Sequence, residues 1–376
     1  MTDGMKFTAS QVSAFRLARH HLANKDRTGL VRVCRDVCGI QAQLMSAAEM
    51  ALWARDHAIL KADIDSALWK KRSIVRTSLM RQTLHLIPSA DFFFYITALR
   101  KSRLDALMRN MSKFGITMKN IETLNESILS LLRGGPMSQR DMTEALLQQV
   151  GTGIRKYVKV AWGIQLFRPA LVEGLICCGP QRGKESTYIR VDQWLPKHKN
   201  ISELEAKRRL LRRYLAAYAP ATQQDFSKWS GISMNEVKDA WQSLKEELVE
   251  VFVGERKGSL LRHDLGILSR SEFRKPVVRL LPSFDPYLLG HVEKSYFVGD
   301  RHYKRVFRNQ GWISPVVLLN GNIIGVWSSK CREKESVLEV MPFRNFSRAV
   351  RSRIEKEAAG AGRFLETTFQ MRYTGS

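Results

Sequence analysis

The sequence predicts a mixed α+β fold made of four structural units, and three observations lead to that prediction. The chain has 376 residues, more than one hydrophobic core usually serves, so two to four units are expected. A pattern of helices followed by two short strands recurs three times in residues 1–272. The remaining residues, 273–376, change character and consist mainly of strand-like segments.

The clearest copy of the recurring pattern covers residues 201–272. EAKRRLLRRYLAAY has helical spacing, with one apolar stripe formed by Leu210, Leu211, Tyr214, Leu215 and Tyr218. Thr222 and Gly231 are typical residues for the start and end of a second helix, and Ser233 starts a third. LVEVFVG and SLLRH, separated by a polar turn, then predict a β-hairpin. A winged helix has this same order of elements, a helix, then a helix–turn–helix, then a β-hairpin.

A second copy covers residues 113–200. IETLNESILSLLR predicts its first helix, Ser138 caps the next, and residues 155–173 form the third, in which Pro169 predicts a bend or an early end. LICCG and STYIRV are the hairpin strands, on either side of a turn at Pro180–Glu185.

A third, looser copy covers residues 1–112. We expect its helices near 8–24, 30–40, 46–58 and 63–70. The strands SIVRTSL and TLHLI then form a hairpin around residues 80–82. In the C-terminal β-rich module, 273–376, Asn320-Gly321 between apolar runs predicts another hairpin, and a basic helix is expected near 344–360.

Positive charge is the dominant feature of the composition. The chain has 61 Lys and Arg against 36 Asp and Glu, a net charge of +25. Such an excess favours a polyanionic partner, because each phosphate contact releases counterions, and nucleic acid is preferred over an anionic membrane surface. Two segments concentrate the cations and are the predicted DNA-binding residues: Lys70, Lys71, Arg72, Arg76 and Arg81, then Lys207, Arg208, Arg209, Arg212 and Arg213.

Several classes of protein are disfavoured. No segment approaches ~18 uninterrupted apolar residues, so a membrane span is not expected, and the N-terminus lacks a signal-peptide pattern. The five cysteines lack a second Cys or His pair with the spacing of a zinc or iron–sulfur site. We therefore expect free thiols, no metal or cofactor, and a cytoplasmic monomer that is nucleoid-associated when bound to DNA.

Two glutamines, Gln41 and Gln43, stand two apart in GIQAQ between segments that read as helices. Taken alone, the pair is compatible with a solvated helix end. Three further segments change its interpretation: RQTLHLIPSAD at 81–91, LLPSFDPYLLG at 280–290 and GWISPVVLLNGNIIGVW at 311–327. With GIQAQ at 39–43, they resemble the AlkZ-like winged-helix DNA glycosylases, a bacterial family of three tandem winged helices and a C-terminal β-rich region.

The resemblance implies a catalytic role for the pair. The family's motif is Gln-apolar-Gln, whereas a sister branch has Asp at the second polar position. Gln41 and Gln43 would then position the hydrolytic water of a monofunctional DNA glycosylase in base excision repair. An amide is no strong base, so it suffices only where the leaving group is already activated. Purines alkylated at N7 or N3, including bulky or interstrand-crosslinked adducts in double-stranded DNA, are cationic and leave as neutral bases.

Other candidates have structural alternatives. His85 is a candidate lesion-pocket or phosphate-contacting residue, and a packing histidine is an equal alternative. Asp285 is a candidate helper carboxylate, although Asp-Pro more often caps a turn. Three tryptophans at helical apolar positions are predicted to be core: Trp162, Trp229 and Trp241.

Two other functions stay open at this point. A non-catalytic winged-helix DNA-binding protein, such as a transcription regulator, also accounts for the charge, but regulators usually pair a single winged helix with a dimerisation or ligand domain. An RNA-binding or ribosome-associated protein accounts for the charge and leaves the glutamine pair unexplained.

Overall fold

The structure, a computed structural model, describes residues 5–24, 27–151, 154–155, 157–158, 164–183, 185–196, 200–331 and 336–374. Helices and strands are interspersed along these ranges, and the strands form three three-stranded sheets and one five-stranded sheet. The predicted α+β class is confirmed. No helix within the described ranges has the length and apolar character needed to cross a membrane.

The first predicted unit, residues 1–112, contains two sets of elements. Its strands are β1 (Lys6–Phe7), β2 (Ile40–Gln41), β3 (Ile74–Ser78) and β4 (Leu84–Pro88). Its helices are α1 (Ala9–Arg19), α2 (Leu30–Asp36), α3 (Met45–Trp53), α4 (Lys61–Asp65), continued by a π-helical turn (Ser66–Lys70), and α5 (Phe92–Met111). The predicted hairpin is confirmed, because β3 and β4 pair antiparallel with Ile74 opposite Pro88 and Ser78 opposite Leu84. Residues 74–88 are called the first hairpin below.

The helix predicted over 30–40 ends earlier, at Asp36. Cys38 and Gly39 take positive φ angles of 59° and 92°, which break the helix, and the chain then extends into β2. A side chain at position 39 would stand 3.0 Å from a methyl group of Ile87, so glycine permits this close approach. The segment pairs with β4 and forms a sheet edge, a long-range contact that local sequence does not indicate.

The second predicted unit, 113–200, has helices and strands in the predicted order as far as it is described. They are α6 (Met118–Leu131), β5 (Met137–Ser138), α7 (Gln139–Gln149), α8 (Ile164–Val172), β6 (Ile176–Arg182), β7 (Glu185–Arg190) and α9 (Val191–Trp194). Ser138 caps α7 as predicted, accepting a hydrogen bond from the Asp141 amide. Pro169 lies inside α8, which continues to Val172, so the helix does not end at the proline. Trp162 lies outside the described residues.

The third predicted unit, 201–272, follows the sequence prediction closely. Its elements are α10 (Glu203–Tyr218), α11 (Gln223–Ser230), α12 (Met234–Gln242), β8 (Leu248–Val253), β9 (Arg256–Leu261) and α13 (Leu265–Ser269). Thr222 and Asp225 form a capping box, and Gly231 ends α11 with a φ of 82°. Trp229 and Trp241 are buried in the core, as predicted. Sequence reasoning missed β1, which pairs parallel with β8 and extends this sheet.

The C-terminal module is a five-stranded sheet with helices. Its elements are β10 (Val278–Leu281), α14 (Asp300–Val306), β11 (Val316–Leu319), β12 (Asn322–Cys331), β13 (Ser336–Pro342), α15 (Arg348–Phe364) and β14 (Phe369–Tyr373). The predicted turn is confirmed, since Asn320 and Gly321 both have positive φ angles and join two antiparallel strands.

Buried apolar residues form three clusters that do not coincide with the four predicted units. One cluster joins the first unit to the C-terminal module, and a second joins the first unit to the third. The third cluster consists of residues 107–188 with Leu84 added. The first hairpin therefore packs at the meeting point of all the other parts, which fixes the position of the glutamine motif. The domain boundaries themselves stay a prediction.

Candidate functional site

The Gln41-Ala42-Gln43 motif lies at the edge of the three-stranded sheet β2-β4-β3. Gln41 stands opposite His85 in antiparallel register, and the Ala42 amide donates to the Leu84 carbonyl at 2.7 Å. Directly opposite residues of antiparallel strands are close neighbours on one face of the sheet. Gln41 is buried with 8% of its surface exposed, whereas Gln43 is exposed. The buried Gln41 is therefore not part of a solvated helix end, whereas the exposed Gln43 lies two residues before the start of α3.

Arg81 holds the side chain of Gln41. It sits in the turn of the first hairpin with a φ of 52°, and its Nη2 donates to Gln41 Oε1 at 3.2 Å. Its Nη1 donates to the Trp229 carbonyl, at the end of α11, at 2.6 Å. A guanidinium can only donate, so the Gln41 atom that faces it is the carbonyl oxygen. The amide of Gln41 thus has a fixed orientation.

Arg76 holds the backbone of the same motif. Its Nε and Nη2 donate to the Ala42 carbonyl at 3.1 and 2.8 Å. The side chain is buried, so it supports the segment between the two glutamines from inside the protein. This corrects the placement of Arg76 on a phosphate-facing surface, because its donors are used within the fold. Arg81 is likewise engaged with protein atoms, as its bonds to Gln41 and Trp229 show.

His85 is buried and neutral. Its Nδ1 lies 2.9 Å from the Thr83 carbonyl, an atom that only accepts, so Nδ1 carries the proton and Nε2 keeps its lone pair. Burial, together with the positive charges of Arg81 and Arg103, lowers the pKa of His85 to about 3. The structure therefore presents an imidazole acceptor beside Gln41 that stays uncharged at physiological pH.

Gln43 follows the end of β2. Its Oε1 accepts a hydrogen bond from the Leu84 amide at 3.3 Å. Since Gln41 Oε1 and Gln43 Oε1 each take one protein donor, both oxygens keep a second lone pair, and both amide nitrogens lack an acceptor among the described residues. The two amides and the imidazole line one edge of the first hairpin.

Asp285 is fully buried and does not open onto a pocket. It forms a two-pronged ion pair with Arg55, whose side chain is also fully buried, at 2.7 and 2.8 Å. It also accepts a hydrogen bond from the Tyr287 amide as the cap of a short turn. Its candidate role in the lesion pocket is therefore corrected to a structural one, which joins the first unit to the C-terminal module.

The second basic segment lies on α10 and is paired with carboxylates. Lys207 is buried between Glu203 and Glu236, and Arg209 and Arg213 both contact Asp91. Arg208 and Arg212 contact the two carboxylates Glu205 and Glu247. These pairs hold α10 against neighbouring helices, so a row of five free cations is the wrong description of this segment.

The remaining predicted cations are exposed. Lys70 and Lys71 reach solvent beside the first hairpin, with no carboxylate within 4.0 Å among the described residues. The guanidinium of Arg72 lies over the Trp194 ring, 4.0 Å from its centre. These three residues form an exposed basic surface that precedes β3 of the first hairpin. In the described part of the chain, no group of three or more His, Cys, Asp or Glu is placed to hold a metal ion.

Comparisons with known proteins identify the family of this chain. A family model described as DNA glycosylase AlkZ-like matches residues 34–364. The interstrand DNA cross-link repair glycosylase of Streptomyces sahachiroi is 29% identical over 368 residues, covering 96% of this chain and 97% of that protein. The solved structure of the Streptomyces sahachiroi DNA glycosylase AlkZ has a TM-score of 0.87 at 27% identity, covering 98% of this chain and 100% of that one. The chain belongs to the AlkZ-like family of DNA glycosylases, hydrolases that act on N-glycosyl bonds.

Proposed function

We propose that this enzyme releases N7- or N3-alkylated purines from double-stranded DNA, including bulky and interstrand-crosslinked adducts, with a water positioned by Gln41 and Gln43. The observation that carries the proposal is the fixed orientation of Gln41 by Arg81, directly opposite the neutral His85. A relative over nearly the whole chain is named as an interstrand DNA cross-link repair glycosylase, which supports the same substrate class.

The groups at the motif suit a leaving group that is already activated. Among the described residues, the charges named as acting on the pKa of His85 are the cations Arg81 and Arg103, and none is a carboxylate. Amides and a neutral imidazole supply hydrogen-bond acceptors and dipoles, whereas a strong general base would be needed for an intact purine. N7- and N3-alkylated purines carry a positive charge and leave as neutral bases.

The proposed water is oriented by the protein before it attacks. Its two O–H groups donate to the second lone pair of Gln41 Oε1 and to His85 Nε2, which directs its own lone pair at the anomeric carbon. Gln43, just after the end of β2, would hydrogen-bond the same water or stabilise the developing sugar cation. Because Arg81 and the Leu84 amide already hold the two glutamines, this arrangement is pre-organised, and pre-organised dipoles stabilise a transition state without reorganisation.

Duplex DNA would lie across the exposed basic surface formed by Lys70, Lys71 and Arg72. In the same proposal the enzyme acts as a monomer. Residues 1–112, 113–200 and 201–272 are three winged-helix units, and residues 273–376 form the β-rich module.

Single-turnover excision from one N7-alkylguanine duplex tests the glutamines. Gln41→Ala and Gln43→Ala should each slow base release ~10²-fold, the effect of removing one well-placed polar group. Duplex affinity should stay unchanged, because it rests on phosphate contacts elsewhere. The double variant should lose less than the product of the two single losses, since both amides act on one water and one sugar.

Wild-type rates in both alanine variants would refute the role of the motif. Strand breaks after alkali that do not exceed spontaneous depurination, over several adducts, would instead favour a non-catalytic DNA-binding protein.

A further inference from the structure

A cavity of about 470 Å³ lies in the C-terminal module, where α14 leads into β11. Its volume is within the range of about 300–1,000 Å³ that is usual for small-ligand sites. Two aromatic rings, two cations and two side-chain amides line it: Phe307, Trp312, Lys304, Arg308, Asn309 and Gln310. It is called the Trp312 cavity below. The hydrolysis proposed for the glutamines uses none of these residues, so the cavity is free for another role.

Trp312 is a large apolar side chain that stays accessible to solvent. It has 41% of its surface exposed, and its ring meets the ring of Phe284 edge to face, with 5.1 Å between the ring centres. Its indole nitrogen donates to no other residue that the structure describes. A flat partner placed on the indole would remove apolar surface from water, which is favourable.

The loop that carries Trp312 is closed by its own backbone. The Arg308 amide donates to the Trp312 carbonyl at 2.8 Å, and the flanking residues Phe307 and Ile313 form an antiparallel bridge. Between them, Gln310 takes a positive φ of 59°, which turns the chain back on itself. The backbone around the indole is therefore already arranged, so a ligand does not have to order this loop when it binds.

The polar groups of the Trp312 cavity are unused within the protein. Lys304 and Arg308 are exposed, and among the described residues no carboxylate lies within 4.0 Å of either. The side-chain amides of Asn309 and Gln310 likewise make no hydrogen bond in that part of the chain. Free cations suit phosphates, and amides can both donate to and accept from the edge of a base. An aromatic face beside cations is the combination by which proteins bind unstacked nucleotides.

Lys294 connects the Trp312 cavity to the surroundings of the glutamine motif. Its ammonium lies 5.2 Å from the centre of the Phe307 ring. Burial and, after it, the positive charge of Arg81 lower the pKa of Lys294 to about 8, so these two cations are within electrostatic range of each other. Arg81 is the residue that holds Gln41. Lys294 is thus a neighbour of both the cavity and the arginine that orients the motif.

We propose that the Trp312 cavity binds an unpaired nucleotide of the DNA substrate, with its base stacked on Trp312 and its phosphates beside Lys304 and Arg308. In paired DNA both faces of a base are covered by its neighbours, so only a base that has left the stack can lie on the indole. The inference goes beyond the proposed hydrolysis, because it rests on DNA as the substrate and not on the chemistry of the glutamines.

Two undamaged duplexes that differ by one unpaired thymine test the stacking. Trp312→Ala should weaken binding of the duplex with the unpaired thymine roughly tenfold, the scale of losing one base–aromatic stack. Its affinity for the fully paired duplex should not change. Trp312→Phe keeps an aromatic face and should recover most of the lost affinity.

The salt dependence of binding tests the two cations. For the duplex with the unpaired thymine, Lys304→Gln and Arg308→Gln should each reduce the slope of log affinity against log salt by roughly 0.7–0.9, the value of one phosphate contact. Arg305→Gln is the matched control. Arg305 is exposed on the same helix as Lys304, but its guanidinium lies over the Phe343 ring, 4.7 Å from its centre, and does not line the cavity. Its slope should stay at the wild-type value.

Several results would overturn the inference. Wild-type affinity of Trp312→Ala for the duplex with the unpaired thymine is the first. An equal loss on both duplexes would place Trp312 against paired DNA, and an equal change of slope in Arg305→Gln would reduce the cations to general attraction. Should Trp312→Ala fail to fold, Lys304→Gln and Arg308→Gln carry the test, and unchanged slopes in both would overturn the inference.

Failure of the proposed function gives a different result. The wild-type protein would then release no alkylated purine, yet an unpaired thymine would still raise its affinity for DNA through Trp312.

Discussion

Two basic segments of this chain look alike in sequence and differ in the structure. On α10, all five Lys and Arg residues between 207 and 213 lie within 4.0 Å of a carboxylate. In the first hairpin, Arg76 and Arg81 donate instead to backbone carbonyls and to Gln41. Arg103, behind the hairpin, donates to a serine hydroxyl. Among the described residues, no carboxylate lies within 4.0 Å of Arg76, Arg81 or Arg103, so these three cations are hydrogen-bonded without an ion-pair partner.

This difference separates two uses of positive charge. An ion pair presents little net field beyond its own atoms, so the cations of α10 fasten helices together. An arginine that is bonded to a carbonyl keeps its full charge, and several of them in a cleft raise the local potential for a polyanion. A run of Lys and Arg in a sequence therefore indicates a nucleic-acid surface only where the fold leaves the run without acids.

The largest expected effect is a loss of stability when Asp91, the partner of two cations on α10, is replaced. Asp91 is 2% exposed and accepts from Arg209 at 3.1 Å and from Arg213 at 2.9 Å. Asp91→Asn leaves those cations without a counterion, and the free energy of unfolding should fall by about 3 kcal/mol. Urea denaturation measures this. Excision by the folded protein should stay at the wild-type rate, and a parallel loss of excision would place α10 in the active site.

The second prediction, Arg81→Ala, tests the role of a cation in the first hairpin. Without Arg81 the Gln41 amide loses its fixed orientation, so single-turnover excision should slow ~10²-fold, the same loss that is expected for Gln41→Ala. Affinity for intact duplex should change much less. If affinity falls and the excision rate of the bound complex does not, Arg81 is a phosphate contact, as the sequence first suggested.

The third prediction concerns pH and His85. Its pKa is about 3 in the folded protein and about 6.5 when unfolded, so the unfolded chain binds the extra proton. The neutral imidazole therefore makes its full contribution to the free energy of unfolding above about pH 6.5. As the pH falls from about 6.5 toward 3 this contribution is lost, by at most ~1.4 kcal/mol per pH unit. Urea titrations at several pH values should show a shallower loss in His85→Gln. Equal slopes in both proteins would mean that His85 is protonated in the native state.

The smallest effect is expected for Arg212→Gln on α10. Arg212 and its partner Glu247 are both partly exposed, with 32% and 42% of their side-chain surface accessible, and solvent screening limits such an ion pair to about 1 kcal/mol or less. Stability, duplex affinity and the salt slope should all stay near wild type. A clear drop in the salt slope would show that α10 contacts DNA despite its carboxylates, and would end the distinction between the two segments.

Local chemistry made part of this structure predictable. The capping residue Thr222, the C-terminal Gly231, the turn at Asn320-Gly321 and the strands of the first hairpin all follow from interactions within a few residues. The family resemblance singled out Gln41 and Gln43, whose chemistry stays a proposal.

The rest depends on residues that are far apart in the chain. Asp91 meets Arg209 across 118 residues, and β1 joins β8 across more than 240. Nothing near Lys207 or Arg76 in the sequence reveals a partner at Glu236 or Ala42. Whether a cation faces solvent or is buried against a carbonyl is decided by these contacts, which is why both basic segments were predicted to bind DNA.

The buried pair of Arg55 and Asp285 has a consequence for synthesis of the enzyme. The two residues are 230 positions apart, so a ribosome adding roughly 5–20 residues per second needs on the order of ten seconds or more to deliver the second after the first. During that interval the nascent chain already contains Gln41 and Gln43, but Arg55 has no counterion. A chain that stops before residue 285 would thus remain incompletely folded and open to proteolysis. Truncated translation products would therefore not act as glycosylases and would not make abasic sites in the genome.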